Sequence, residues 1–128
     1  MKPKPFRTFK INGGCYDFDV HCCISRDEKK VIRYVNSILG LPSANNIAVK
    51  EDSLKCLGKI FHRWGYCPVV WIPSIPRTPR QHATVVHELF HATCQVMKWV
   101  EIPLDDSSEE AYTHLISHLI GQFYSKMK

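Results

Sequence analysis

No apolar run in this chain approaches the roughly 18–20 residues that a membrane-spanning helix needs, so no membrane partner is expected. The basic start, Met1-Lys2-Pro3-Lys4-Pro5, is followed by no apolar h-region. A secretory signal is therefore not expected, and the predicted compartment is the cytoplasm, that of a host cell if the gene is viral. None of the six cysteines (Cys15, Cys22, Cys23, Cys56, Cys67, Cys94) forms a C-x-x-C pair. Neither a disulfide framework nor a cysteine zinc site is expected, and the thiols should be free and mostly buried. The chain has no internal repeat, no low-complexity stretch and no dense basic run. Its net charge of +5 is spread along the sequence, which describes a solvated, mildly basic surface better than a nucleic-acid-binding one.

What is present fits a single domain spanning residues 1–128, with an ordinary apolar share of 45%. Residues 1–14 should be extended up to a turn at Gly13-Gly14. From 16 to 24 the residues alternate, with Phe18, Val20, Cys22 and Ile24 on one face and Asp17, Asp19, His21 and Cys23 on the other, the pattern of a half-buried strand. Ser25 with Glu28 three residues on predicts a capping box. Val31, Ile32, Tyr34, Val35, Ile38 and Leu39 form the stripe of the helix that follows, and Gly40 and Pro42 stop it. Asn45-Asn46 reads as loop and residues 47–49 as a short strand. Residues 57–64 are read as a strand that turns at Gly65-Tyr66 into Pro68-Val69-Val70-Trp71-Ile72-Pro73. The prolines at both ends of that run predict an edge strand.

A third helix signal is stronger. Thr78 is a good N-cap and Pro79 a good first helical residue. The helix should run to about Lys98, with Val85, Leu89, Ala92 and Val96 as its core stripe. Within the helix lies the run His87-Glu88-Leu89-Phe90-His91, the pattern H-E-x-x-H, with His87 and His91 off that stripe. Histidines four apart lie one turn apart on one helix face, so both imidazoles can reach a single ion at about 2.0–2.1 Å. Glu88 lies about 100° round the helix from His87, beside such an ion rather than on it. There it can take a proton from metal-bound water and later deliver it to a leaving amine. A last helix is expected over residues 107–127, with Asp106 or Ser107 as its cap and a broad apolar face of Ala111, Tyr112, Leu115, Ile116, Leu119, Ile120 and Phe123.

Two histidines need at least one more protein ligand to make a catalytic zinc site. Candidates on the last helix are Glu109, Glu110 and His114. Cys94 and Met97 occupy the places where a metzincin has its glycine and third histidine, which excludes that arrangement. Donors for a developing oxyanion could be Tyr112, His114, His118 or Tyr124. Asp105 and Asp106 read as loop and cap residues.

The run Thr84-Val85-Val86-His87-Glu88-Leu89-Phe90-His91-Ala92, with Glu109-Glu110-Ala111-Tyr112 some 20 residues on, resembles the small single-domain zinc metallopeptidases of phages and mobile elements. These are gluzincin-like or minigluzincin-like enzymes, the repressor-cleaving phage peptidases among them. The resemblance covers residues 65–124. It implies an α+β, zincin-like domain: N-terminal strands, an edge strand before the H-E-x-x-H helix, and a C-terminal helix carrying the third ligand. It implies one Zn2+ per chain held by His87, His91 and Glu110, with Glu88 as general base, and hydrolysis of a peptide or protein substrate. His114 stands where these enzymes carry an acid that braces a ligand histidine. A catalytically inactive zinc-binding or regulatory protein of the same fold is the alternative.

Overall fold

A computed structural model of the chain describes residues 4–41 and 56–127. It is an α+β domain with a four-stranded mixed sheet and three helices: β1 (Phe6–Asn12), β2 (Asp19–Ser25), α1 (Glu28–Ile38), β3 (Lys59–Phe61), β4 (Val69–Ile72), α2 (Pro79–Trp99) and α3 (Glu109–Lys126). The sheet order is β1-β2-β4-β3. β1 pairs antiparallel with β2, β2 parallel with β4, and β3 antiparallel with β4. Helices cover both faces. On one face Val20, Cys22, Ile24, Val70 and Ile72 meet Val85, Leu89, Ala92 and Val96 of α2 and Tyr112, Leu115, Leu119 and Phe123 of α3. On the other, Cys23, Phe61, Val69 and Trp71 meet Val31, Ile32, Val35 and Leu39 of α1 and its end. Each fully buried aliphatic side chain in these layers stabilises the fold by about 1.5–3 kcal/mol.

The strand before the H-E-x-x-H helix is not an edge strand. β4 lies between β2 and β3, and all four of its residues are buried. Pro68 and Pro73 sit just outside the paired residues, so they remove no ladder donor. The Pro68 carbonyl even accepts the His21 N–H at 2.9 Å. A short, unbroken apolar run is the signature of a strand covered on both faces, and that signature outweighs the flanking prolines. The edges are β1 and β3. The same two-sided cover corrects the expectation for β2, whose last four residues are all buried. Its alternation does sort the faces: Val20, Cys22 and Ile24 enter one core, Cys23 the other.

The cap of α1 also differs. Asp27, not Ser25, accepts from the Lys30 amide. Ser25 is the last residue of β2, and its hydroxyl accepts from Asp27 N–H and donates to the Pro5 carbonyl. The strand end claims the side chain that the local pattern assigned to the helix. Gly40 does end α1, with φ of 67°, a conformation glycine adopts without steric cost. The expected strand over residues 47–49 lies outside the described residues. β3 and β4 form the expected hairpin, turning through an Arg63 carbonyl bonded to Tyr66 N–H.

Around α2 the local reading holds. Thr78 caps it with a capping box to Gln81, Pro79 opens it, and Val85, Leu89, Ala92 and Val96 are buried. α2 lies close over the start of β3: a Cβ on Gly58 would come within 2.9 Å of the Thr84 methyl. α3 begins one to two residues later than expected, at Glu109. Neither Asp106 nor Ser107 caps it; Asp105 accepts from the amides of Ser107 and Ser108, and Ser108 is the N-cap, its hydroxyl turned back to the Pro103 carbonyl and the Asp105 amide and not to the helix. The Asp105 turn uses those amides first, and Glu109 then opens the helix.

Candidate functional site

The pattern at residues 87–91 falls in the middle of α2, one turn beyond Thr84. The Nε2 atoms of His87 and His91 are 3.1 Å apart, and their rings meet edge-on with centroids 4.7 Å apart. Two ligands at tetrahedral angles on one zinc ion stand about 3.3 Å apart, given bonds of about 2.0–2.1 Å. The two imidazoles therefore fit a shared ion. Both face solvent, His87 with 67% of its side chain exposed.

Glu88 is different in kind. Its side chain is only 9% exposed, and an Oε atom lies 3.9 Å from His87 Nε2. Among the described residues no hydrogen-bond donor meets this carboxylate. The side chain is packed while its carboxylate oxygens are not among the buried, unpartnered atoms of the described residues, so the carboxylate opens to solvent beside the two imidazoles. The helix itself explains the contrast: Glu88 is one turn from Thr84 on the flank that leans toward β3, and His87 is rotated by about 100° toward solvent.

The residues on α3 do not join this group. Glu110 pairs with His114 across one turn of α3 at 3.3 Å, and both are largely exposed. His82 and Tyr124 show why α3 and the histidines are separated. Their side chains are 2.6 Å apart, and they mark the flank of α2 against which α3 packs. His91 is nine residues beyond His82, a rotation of about 180°, so it points away from α3. Among the described residues no group of three or more His, Cys, Asp or Glu side chains is gathered at metal-binding distance. Glu109 stands exposed at the start of α3.

The candidate oxyanion donors are held elsewhere. Tyr112 donates to the Ile102 carbonyl at 2.6 Å. His118 bonds Asn12 at 2.9 Å, fastening the end of β1 to α3. Tyr124 meets His82, and His114 meets Glu110. Burial raises the hydroxyls of Tyr112 and Tyr124 above the usual phenol range. Asp105 is a turn residue as expected, held below the usual carboxylate range first by the Ser107 hydroxyl and then by the Ser107 amide.

One feature beside the pattern was not singled out from sequence. Val86 and Phe90, an i, i+4 pair, are each 40% exposed and stand on α2 between the histidines and the α3 flank. Their signal was available: two apolar residues off the core stripe of an amphipathic helix. Of the six cysteines only Cys22 and Cys23 are buried, Cys67 and Cys94 are half-buried and Cys15 and Cys56 exposed, so fewer of them are buried than the sequence led one to expect. Among the described residues no helix is long and apolar enough to cross a membrane. No protein-family model, no curated protein and no solved structure matches this chain.

Proposed function

We propose that this chain is a zinc-dependent hydrolase of peptide bonds, with His87 and His91 as metal ligands and Glu88 as general base. Glu88 carries the proposal: a packed side chain whose carboxylate opens to solvent beside two imidazoles whose Nε2 atoms are 3.1 Å apart. A zinc ion bound there would supply a Lewis acid and make bound water acidic at neutral pH. His87 and His91 would hold it through Nε2, with both side chains exposed to solvent where a substrate can approach. Glu88 takes a proton onto its carboxylate as water attacks the carbonyl carbon, then passes it to the departing nitrogen. The free sheet edge nearest α2 is β3, so an extended substrate backbone would pair there rather than along β4. The third ligand is assigned to Glu110 by the resemblance and to no residue by the geometry.

The test is hydrolysis of an unfolded protein by the zinc-loaded chain, with Glu88→Gln as control. Activity in the wild type, lost in a variant that still retains zinc, supports the proposal. Equal activity in Glu88→Gln overturns it. The second reading, a metal-binding or regulatory protein without activity, is favoured by the wide exposure of His87 and by the lack of a third gathered ligand among the described residues. Its outcome in the same experiment is one zinc per chain and no cleavage.

A further inference from the structure

The carboxyl ends of the parallel strands β2 and β4 lie side by side, and a groove opens outside them, the place where sheets with parallel strands commonly take ligands. One lobe, about 450 Å3, has Trp71, Ile72 and Pro73 in its floor and the first turns of α2 as a wall. The second, about 710 Å3, runs on between Pro5–Arg7 and the residues before Thr78. The two lobes adjoin, with Ser25, Arg26, Ser74 and Gln81 lining both. Each alone matches a pocket for a drug-sized ligand, about 300–1,000 Å3, so the pair in line suits something longer than a small ion.

The charge on this groove is one-sided. Four of the six arginines in the chain line it: Arg7, Arg26, Arg77 and Arg80. They come from three places in the chain, Arg7, Arg26 and the Arg77–Arg80 stretch that opens α2, so the fold and not a single basic run assembles them. Arg7 donates to the Lys126 carbonyl, but among the described residues Arg26, Arg77 and Arg80 enter no ion pair. The lining acid is Glu28; Asp27 is occupied in capping α1. Guanidinium groups match carboxylates with paired hydrogen bonds. Thr84 closes the first lobe, and Glu88 is one turn further on the same side of α2.

We propose that this groove binds an extended acidic peptide segment and leads it toward Glu88. The floor takes apolar side chains, and Arg26, Arg77 and Arg80 take carboxylates. That the segment is then cleaved rests on the hydrolase proposal; that it binds does not.

The experiment uses the full chain carrying Glu88→Gln, free of metal, and a fluorescent decapeptide alternating glutamate with leucine. Its counterpart has glutamine in place of glutamate. By fluorescence anisotropy the acidic peptide should bind at least about tenfold tighter than the neutral one, and more weakly as salt rises. Arg26→Ala with Arg80→Ala should weaken it about tenfold or more, while Arg33→Ala, on the exposed side of α1, should not. Equal binding of both peptides, or an equal effect of Arg33→Ala, overturns the proposal. So does tighter binding of a single-stranded DNA decamer. A parallel incubation of both peptides with the zinc-loaded wild type separates the two proposals. Selective binding without cleavage upholds the groove and defeats the hydrolase. Cleavage of both peptides alike, without selective binding, does the reverse.

Discussion

The hydroxyl of Tyr124 lies 2.6 Å from Nδ1 of His82, on the flank where α3 meets α2, half a helical turn round from His91. The metal-competent pair of α2 and the carboxylates of α3 therefore face different directions, and the variants below follow from that separation.

Replacing His87 and His91 together by alanine should abolish the zinc retention that the proposed function assigns to their Nε2 atoms. Both side chains face solvent, so the fold should lose no more than about 0.5 kcal/mol. Elemental analysis after dialysis, beside a thermal melt, checks this. Stoichiometric zinc in the double variant would place the site elsewhere.

Glu88→Gln should keep zinc and lower hydrolysis by about 10²–10⁴-fold, the usual contribution of a positioned base. It should leave the melting temperature of the metal-free protein unchanged, because glutamine keeps the shape of a side chain whose polar end is not among the buried, unpartnered atoms. A lower melting temperature would mean that the carboxylate has a stabilising partner.

Glu110→Ala decides between resemblance and geometry. With Glu110 held by His114 on the outer face of α3, zinc affinity should stay within about threefold of wild type. A loss of tenfold or more would show that the first turn of α3 comes round to the histidines on metal binding. His114→Ala serves as the partner variant and should leave affinity equally unchanged.

Phe123 is fully buried between α3 and the sheet, 5.5 Å from the ring of Phe9. Phe123→Ala should cost about 3–5 kcal/mol by lost burial and a cavity, read by urea unfolding. A loss under 1 kcal/mol, roughly that of an exposed site, would contradict the packing of α3 on β1.

His21 should make stability depend on pH. Burial first, and then the Lys10 charge, lower its pKa below the ordinary 6.5. Between its folded and unfolded values the unfolded chain binds more protons, so stability rises with pH there. The contribution is complete above about pH 6.5 and is lost as pH falls through the unfolded value toward the folded one. Melting temperatures across this range should fall on acidification in the wild type and fall less in His21→Asn. An unchanged slope in the variant would assign the effect to another group.

Several features were legible in the residues alone because their causes are local. The Thr78-Pro79 start of α2 and its stripe through Val96 depend on neighbours within a few positions. So do the stop at Gly40 and the turn joining β3 to β4. The spacing of His87, Glu88 and His91 belongs to the same class, since a helix brings residues four apart together whatever surrounds it. The caps of α1 and α3 were less legible, because Ser25 and Asp105 were claimed by the strand end and by a turn before either helix began.

Only the tertiary structure decided what depends on residues distant in sequence. β4 became an interior strand because β2, more than forty residues earlier, pairs with it in parallel, and flanking prolines carry no information about such a neighbour. Glu88 became buried, and His87 and His91 exposed, because α2 turns the Glu88 side toward the rest of the fold and the histidine side toward solvent. The direction of Glu110 was set by the side of α2 on which α3 packs, through Tyr124 and His82. Four arginines met in one groove for the same reason. Local pattern determined which residues could carry metal chemistry; long-range packing determined which of them came together, because a shared face requires two elements to choose the same side of a third.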